Sequence, residues 1–153
     1  MPISVNRTRV LLVDEEVVVR AGLRLLIDSW PTLQVIGEAG TSSEALETMA
    51  DVKPNLIVCS YGRAASAFLS DLRVIVQRAD QIPVVVLTSA RHPQSGTTAL
   101  QVGVNCVISK RRTPVELRQA LEQLGVRSNG SSKTKPARIA GQVDSEQRVK
   151  TRS

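Results

Sequence analysis

The sequence predicts an α/β fold, a doubly wound parallel sheet with helices on both faces. Three observations carry the prediction. Five short runs rich in Val, Leu and Ile recur along the 153 residues, each followed by a stretch with apolar residues at helical spacing. The runs show little apolar-polar alternation, so both faces of most strands are buried, as in a parallel sheet. Hydrophobic residues make up 42% of the chain but aromatics only 2%, which leaves a core of Val, Leu, Ile and Ala.

Taken in order, Arg9 to Val13 reads as the first strand and ends at Asp14-Glu15. In the helix that follows, Val18, Ala21, Gly22, Leu25, Leu26 and Ser29 recur at helical spacing, with Arg20 and Arg24 on another face, and Trp30-Pro31 stops it. Val35 to Ala39 is shorter and more polar, an edge strand. Thr41 or Ser42 caps a helix over Ser43 to Met49, which turns Ala45, Leu46 and Met49 to the sheet. Pro54 opens the third strand, Leu56-Ile57-Val58, which stops at a polar pair, Ser60-Tyr61. Ala65 to Arg78 fits a helix with Phe68, Leu72, Ile75 and Val76 on its apolar side. Pro83 to Thr88 is the fourth strand; Gln94 to Val102 is a weak helix closed by Gly103. Val104 to Ser109 is the fifth strand and ends at Lys110. Thr113 caps the last helix, with Pro114 at its first position, Glu116 at the third, and Leu117, Ala120, Leu121 and Leu124 buried.

Right-handed crossovers between parallel strands give a (βα)5 arrangement with the flavodoxin-like strand order 2-1-3-4-5. In such a sheet chemistry sits beyond the carboxyl ends of the strands, where the order reverses. Cys59 and Cys106 fall on strands separated by a third, roughly 10 Å apart. That is too far for a disulfide, so both are expected as buried free thiols of a cytoplasmic protein.

The formal net charge is +6. From Gly125 onward, Arg127, Lys133, Lys135, Arg138, Arg148, Lys150 and Arg152 stand against Asp144 and Glu146, so this segment carries +5 and the body about +1. The basic balance is a property of the tail and does not mark the folded part as a nucleic-acid binder. The expected division is a domain over 1–125 and a basic flexible tail or interdomain linker over 126–153. The tail has no aromatic residue for base stacking. No run of about 18 apolar residues suggests a membrane span, and the N-terminus lacks the apolar region of a secretory signal.

Four strand ends bring polar groups to one rim: Asp14-Glu15, Ser60, Thr88-Ser89 and Lys110. With the run from Arg9 to Leu23, Val35-Ile-Gly-Glu-Ala39, Val86-Leu-Thr-Ser89 and the stretch from Gly103 to Lys110, this resembles the receiver domain of two-component response regulators of the NarL/LuxR type, over Arg9 to Leu124. The resemblance implies an acidic pair that holds Mg²⁺, matched by Asp14 and Glu15. It also implies a switch hydroxyl at Thr88, a pocket cation at Lys110, and a phospho-acceptor at the position of Ser60. The physics is that a hard cation wants carboxylate oxygens and a phosphoryl group in transfer needs positive charge around it.

Ser60 departs from that pattern, because a serine offers no carboxylate to form an acyl phosphate and removes an anionic ligand for Mg²⁺. Tyr61-Gly62-Arg63-Ala64-Ala65 lacks the usual Met-Pro-Gly, Val107 stands where the family commonly has an aromatic, and Arg111 replaces the proline often found after the lysine. These departures describe a degenerate pseudo-receiver that binds no cofactor, or Mg²⁺ weakly. Other readings of the same residues stay open: Asp14-Glu15 as charge at a helix N-terminus, Thr88 as an ordinary strand-end hydroxyl, Ser60 as a phosphorylated hydroxyl.

The function expected is a non-enzymatic signalling module of a two-component phosphorelay. It would act in transcription regulation without phosphorylation, by docking a protein partner or a second copy of itself through the last helices and strand. In the family such domains are joined by a linker to a DNA-binding helix-turn-helix; none follows here, and the segment from Arg127 has the character of such a linker. A truncated regulator and a stand-alone domain both remain open. The alternatives are a phospho-accepting receiver that uses a non-standard site, and a small flavodoxin-like binding protein. For the latter no Gly-rich phosphate loop follows the first strand, and the lone His92 sits in a loop.

Overall fold

Five parallel strands form one sheet in the order β2-β1-β3-β4-β5. They are β1 (Thr8–Val13), β2 (Leu33–Ala39), β3 (Leu56–Tyr61), β4 (Val84–Thr88) and β5 (Cys106–Ser109). The helices between and after them are α1 (Val17–Asp28), α2 (Ser42–Val52), α3 (Ala65–Ala79), α4 (Pro93–Val102) and α5 (Pro114–Asn129). The structure is a computed structural model and describes residues 6–61, 65–88 and 93–129. The (βα)5 architecture and the strand order are those the sequence predicts.

Strand alternation divides the core into two layers. Val10, Leu12, Leu56, Val58, Val85, Leu87, Cys106 and Ile108 face α1 and α5, where Ile27, Trp30, Leu117, Leu121 and Leu124 close the layer. Leu11, Val13, Ile57, Cys59, Val84, Val86 and Val107 face α2, α3 and α4, against Ala45, Met49, Leu72, Ile75 and Ala99. Both cysteines are free and buried, on strands with β4 between them and in opposite layers. Burial pushes the Cys59 thiol up to about 12, so it is inert at neutral pH.

Two asparagines fix the register at the amino ends of the strands. The Asn55 side chain accepts from Arg9 N at 3.0 Å while Asn55 N donates to Arg9 O at 2.8 Å, clipping β3 to β1. Asn105 does the same to Val84, at 2.8 and 2.9 Å, and clips β5 to β4. Thr41 is the N-cap of α2, its hydroxyl accepting from Glu44 N at 3.1 Å. At α5, Thr113 Oγ1 accepts from Glu116 N and Glu116 Oε2 from Thr113 N, a reciprocal capping box. Gly103, at φ +116°, turns the chain out of α4 in a conformation that L side chains avoid.

The apolar residues that recur along α1 divide between two faces: Val18 is 83% and Leu25 76% exposed, whereas Leu26 packs against the core. The packed side runs through Leu23, Leu26 and Ile27, and Arg20 is drawn in with it because an anionic partner waits on β2. The last helix runs to Asn129, a turn past the expected boundary at 125, and Gly125 packs closely against Thr8 on the way. Residues 130–153 lie outside the described residues, as do Ser89, His92 and the 62–64 stretch.

Candidate functional site

The register places the strand ends side by side. Val13 pairs with Cys59 and with Ala39, so Asp14 leaves β1 beside Ser60 of β3. Ser60 pairs with Leu87, and Thr88 pairs with Ser109, so Thr88 and Lys110 follow on the next two strands. The backbone N–H of Lys110 donates to Thr88 O at 2.8 Å. The four strand ends that the sequence singles out therefore share one rim. Within it Ser60 continues the face of Leu56 and Val58, whereas Thr88 continues that of Val84 and Val86.

Burial separates the polar groups. Asp14, Ser60 and Thr88 are buried, at 4%, 7% and 7% exposure, while Glu15 and Lys110 are exposed. Asp14 Oδ1 accepts from Glu16 N at 2.8 Å, which holds the carboxylate at the start of α1. Its backbone is fixed from both sides: Asp14 N donates to Ala39 O at 3.0 Å and its carbonyl accepts from the Arg20 guanidinium. The Ser60 hydroxyl is buried with no hydrogen-bond partner among the described residues. A buried polar group left unsatisfied carries a desolvation cost with nothing to offset it.

The donor set at the rim is two carboxylates, one of them exposed, and a serine hydroxyl. Among the described residues no group of three or more His, Cys, Asp or Glu could hold a metal ion. Mg²⁺ is held by one or two carboxylates together with waters and phosphate oxygens; Asp14 and Glu15 are the residues at this rim that would hold it.

A charge network next to the rim has no counterpart in the sequence reading. Arg20 Nε bonds Glu38 Oε1 at 3.0 Å, Arg24 bonds Glu38 Oε2, and Arg24 Nε lies 3.6 Å from Asp28 Oδ2. Asp28 Oδ1 also accepts from Val35 N at 2.8 Å. Burial pushes the Glu38 carboxyl up, but hydrogen bonds and charge from Arg24 and Arg20 more than offset this and hold it below its ordinary 4.5. Arg24 is raised in turn, chiefly by its bond to Glu38. The signal available in the sequence was Arg20, Arg24 and Asp28 at four-residue intervals, opposite a glutamate inside a strand.

Comparison with known proteins agrees with this geometry. Residues 10–122 match the response regulator receiver domain family. The chain is 27% identical over 114 residues to the nitrate/nitrite response regulator protein NarL of Escherichia coli K12, covering 74% of this chain and 53% of that protein. It is 28% identical over 109 residues to a transcriptional regulatory protein, YhcZ, of Bacillus subtilis, covering 71% of this chain and 51% of that one. It thus spans about half the length of these relatives. In fold it is similar to a two-component response regulator of the LuxR family from Aurantimonas sp. SI85-9A1, with a TM-score of 0.75 and 23% identity over 95% of this chain and 98% of that one. The chain belongs to the response regulator receiver domain family.

Proposed function

We propose that the chain is a pseudo-receiver, a cytoplasmic signalling module of a two-component system that works without accepting a phosphoryl group and without catalysing a reaction. The observation that supports this reading is Ser60 at the position the resemblance assigns to the acceptor: a hydroxyl, buried and without a hydrogen-bond partner among the described residues, where the chemistry calls for an accessible carboxylate. The roles proposed for its neighbours follow from the same deficit. Asp14 and Glu15 form an acidic pair that binds Mg²⁺ weakly at most, Thr88 is a switch hydroxyl with nothing to sense, and Lys110 offsets the charge of the acidic pair. Two neighbouring carboxylates with no resident metal need a cation.

Output is then a matter of contact, with a protein partner or a second copy. The apolar side of α1, with Val17, Val18 and Leu25 exposed, supports that mode. DNA would be reached through a helix-turn-helix outside these 153 residues, with the segment from residue 126 as basic tail or linker.

Incubation with acetyl phosphate and Mg²⁺, followed by intact-mass measurement, tests the reading. No adduct is expected on the parent, and a hydroxylamine-labile adduct is expected on Ser60→Asp. A stoichiometric, hydroxylamine-labile adduct on the parent would overturn it in favour of a phospho-acceptor at a non-standard carboxylate.

A further inference from the structure

β1 ends at Val13, so the Asp14 carbonyl lies past the last strand residue, and Asp14 is buried. A buried carbonyl without a donor is costly, and the donor here comes from a side chain, Nη1 of Arg20. Asp14 O and the Glu15 N–H belong to one planar peptide unit. Fixing that oxygen therefore fixes the direction in which the chain leaves toward Glu15 and Glu16. Glu16 N then meets Asp14 Oδ1 at 2.8 Å, and Glu16 O accepts from Arg20 N at 2.9 Å. Arg20 thus holds both ends of the turn that aims the Asp14 carboxylate.

The guanidinium is itself oriented. Its Nε bonds Glu38 Oε1 at 3.0 Å, and the side chain is only 17% exposed. Nε and Nη1 lie in one rigid plane, so the bond to β2 sets the place of the donor that meets Asp14. Gly40 leaves room for it: a Cβ there would lie 3.3 Å from Arg20 Nη1 and 3.9 Å from Asp14 O. Arg24 shares Glu38, through Oε2, and also pairs with Asp28. We propose that Arg20 is a positioning residue of the rim: it spans from Glu38 on β2 to the Asp14 carbonyl and so aims the acidic pair at a divalent cation. The cation half rests on the reading of Asp14 and Glu15 as a weak metal site. A residue that hydrogen-bonds to a ligand residue tunes metal affinity without touching the ion.

Amide hydrogen exchange and Mn²⁺ titration of the full chain, both read by two-dimensional NMR, test it. Mn²⁺ suits the same oxygen ligands as Mg²⁺ and broadens signals near it. Arg20→Gln should speed exchange of the Glu16 amide by about tenfold or more, while the amides of Val58 and Val86 in the sheet change by less than about threefold. It should also raise the Mn²⁺ concentration needed to broaden the Glu15 and Glu16 signals by about tenfold. Arg24→Gln, which loses a bond to the same glutamate but none to Asp14, should leave both readouts within about twofold of the parent. Should Arg20→Gln not fold, Arg20→Lys carries the test: an ammonium lacks the rigid pair of donors, and Glu16 should still exchange faster than in the parent. Parent-like exchange at Glu16 in the Arg20 variants, an equal change in Arg24→Gln, or acceleration spread evenly over the sheet would each overturn the assignment. Exchange needs no bound ion. Absence of Mn²⁺ broadening in the parent would therefore overturn the cation half, and with it the acidic pair of the proposed function, while the Glu16 amide still decides whether Arg20 positions Asp14.

Discussion

Gly125 is a residue at which α5 lies close against β1. A Cβ built there would lie 2.2 Å from Thr8 Oγ1 and 2.7 Å from its Cγ2, and Thr8 is itself buried. Gly125→Ala should therefore destabilise the domain by about 1–3 kcal/mol, the usual cost of forcing extra atoms into a packed site, despite alanine's better helix propensity. Urea denaturation followed by the fluorescence of Trp30, the lone tryptophan, measures it; a midpoint equal to the parent's would show that Thr8 yields freely. Glu38 is the second residue whose surroundings make a quantitative claim. Its folded carboxyl titrates below 4.5, so the stability it contributes is complete above that value and is lost as pH falls through the lower folded value. Glu38→Gln should cost about 0.5–1.5 kcal/mol at pH 7. It should also flatten the dependence of stability on pH below 4.5. A variant whose acid limb matches the parent's would remove Glu38 from the account.

Helix α1 shows how an element can be legible in the sequence while its orientation is not. Its periodicity was readable, but the helix is apolar on two sides, so spacing alone could not choose between Val18-Gly22-Leu25 and Leu23-Leu26-Ile27. The choice is made by a partner remote in sequence, Glu38, which neutralises both arginines on the protein side. The two sides should answer differently to substitution. Ile27→Ala, at a fully buried position, should cost about 2–5 kcal/mol. Val18→Ser with Leu25→Ser should leave stability within about 0.5 kcal/mol of the parent. Denaturation midpoints of the three proteins check this, and comparable losses on both sides would mean that α1 is rotated relative to the packing described. The extent of the last helix is illegible for a related reason: the composition turns polar after Leu124, and the contact that holds the next turn in place is made by a glycine, which leaves no apolar mark in the sequence.

At the scale of the whole molecule, topology was legible because non-alternating Val-rich strands with helical crossovers admit few arrangements, and the strand ends then follow from the register. Asp14, Ser60, Thr88 and Lys110 lie at one rim because each ends or follows a strand of the same parallel sheet. What sequence could not supply was their accessibility: a buried Asp14 and Ser60, beside an exposed Glu15 and Lys110, depend on how α1 and the neighbouring strands cover the rim. The proposed reading makes the rim a phosphoryl site with a hydroxyl in place of the nucleophile, and beryllofluoride, which mimics a phosphoryl group on a carboxylate, probes that difference without requiring turnover. Amide NMR of the parent and of Ser60→Asp, each titrated with beryllofluoride and millimolar Mg²⁺, is the most direct measurement. The account predicts saturable shifts at Asp14, Thr88 and Lys110 in Ser60→Asp and none in the parent; saturable shifts at those positions in the parent would contradict it.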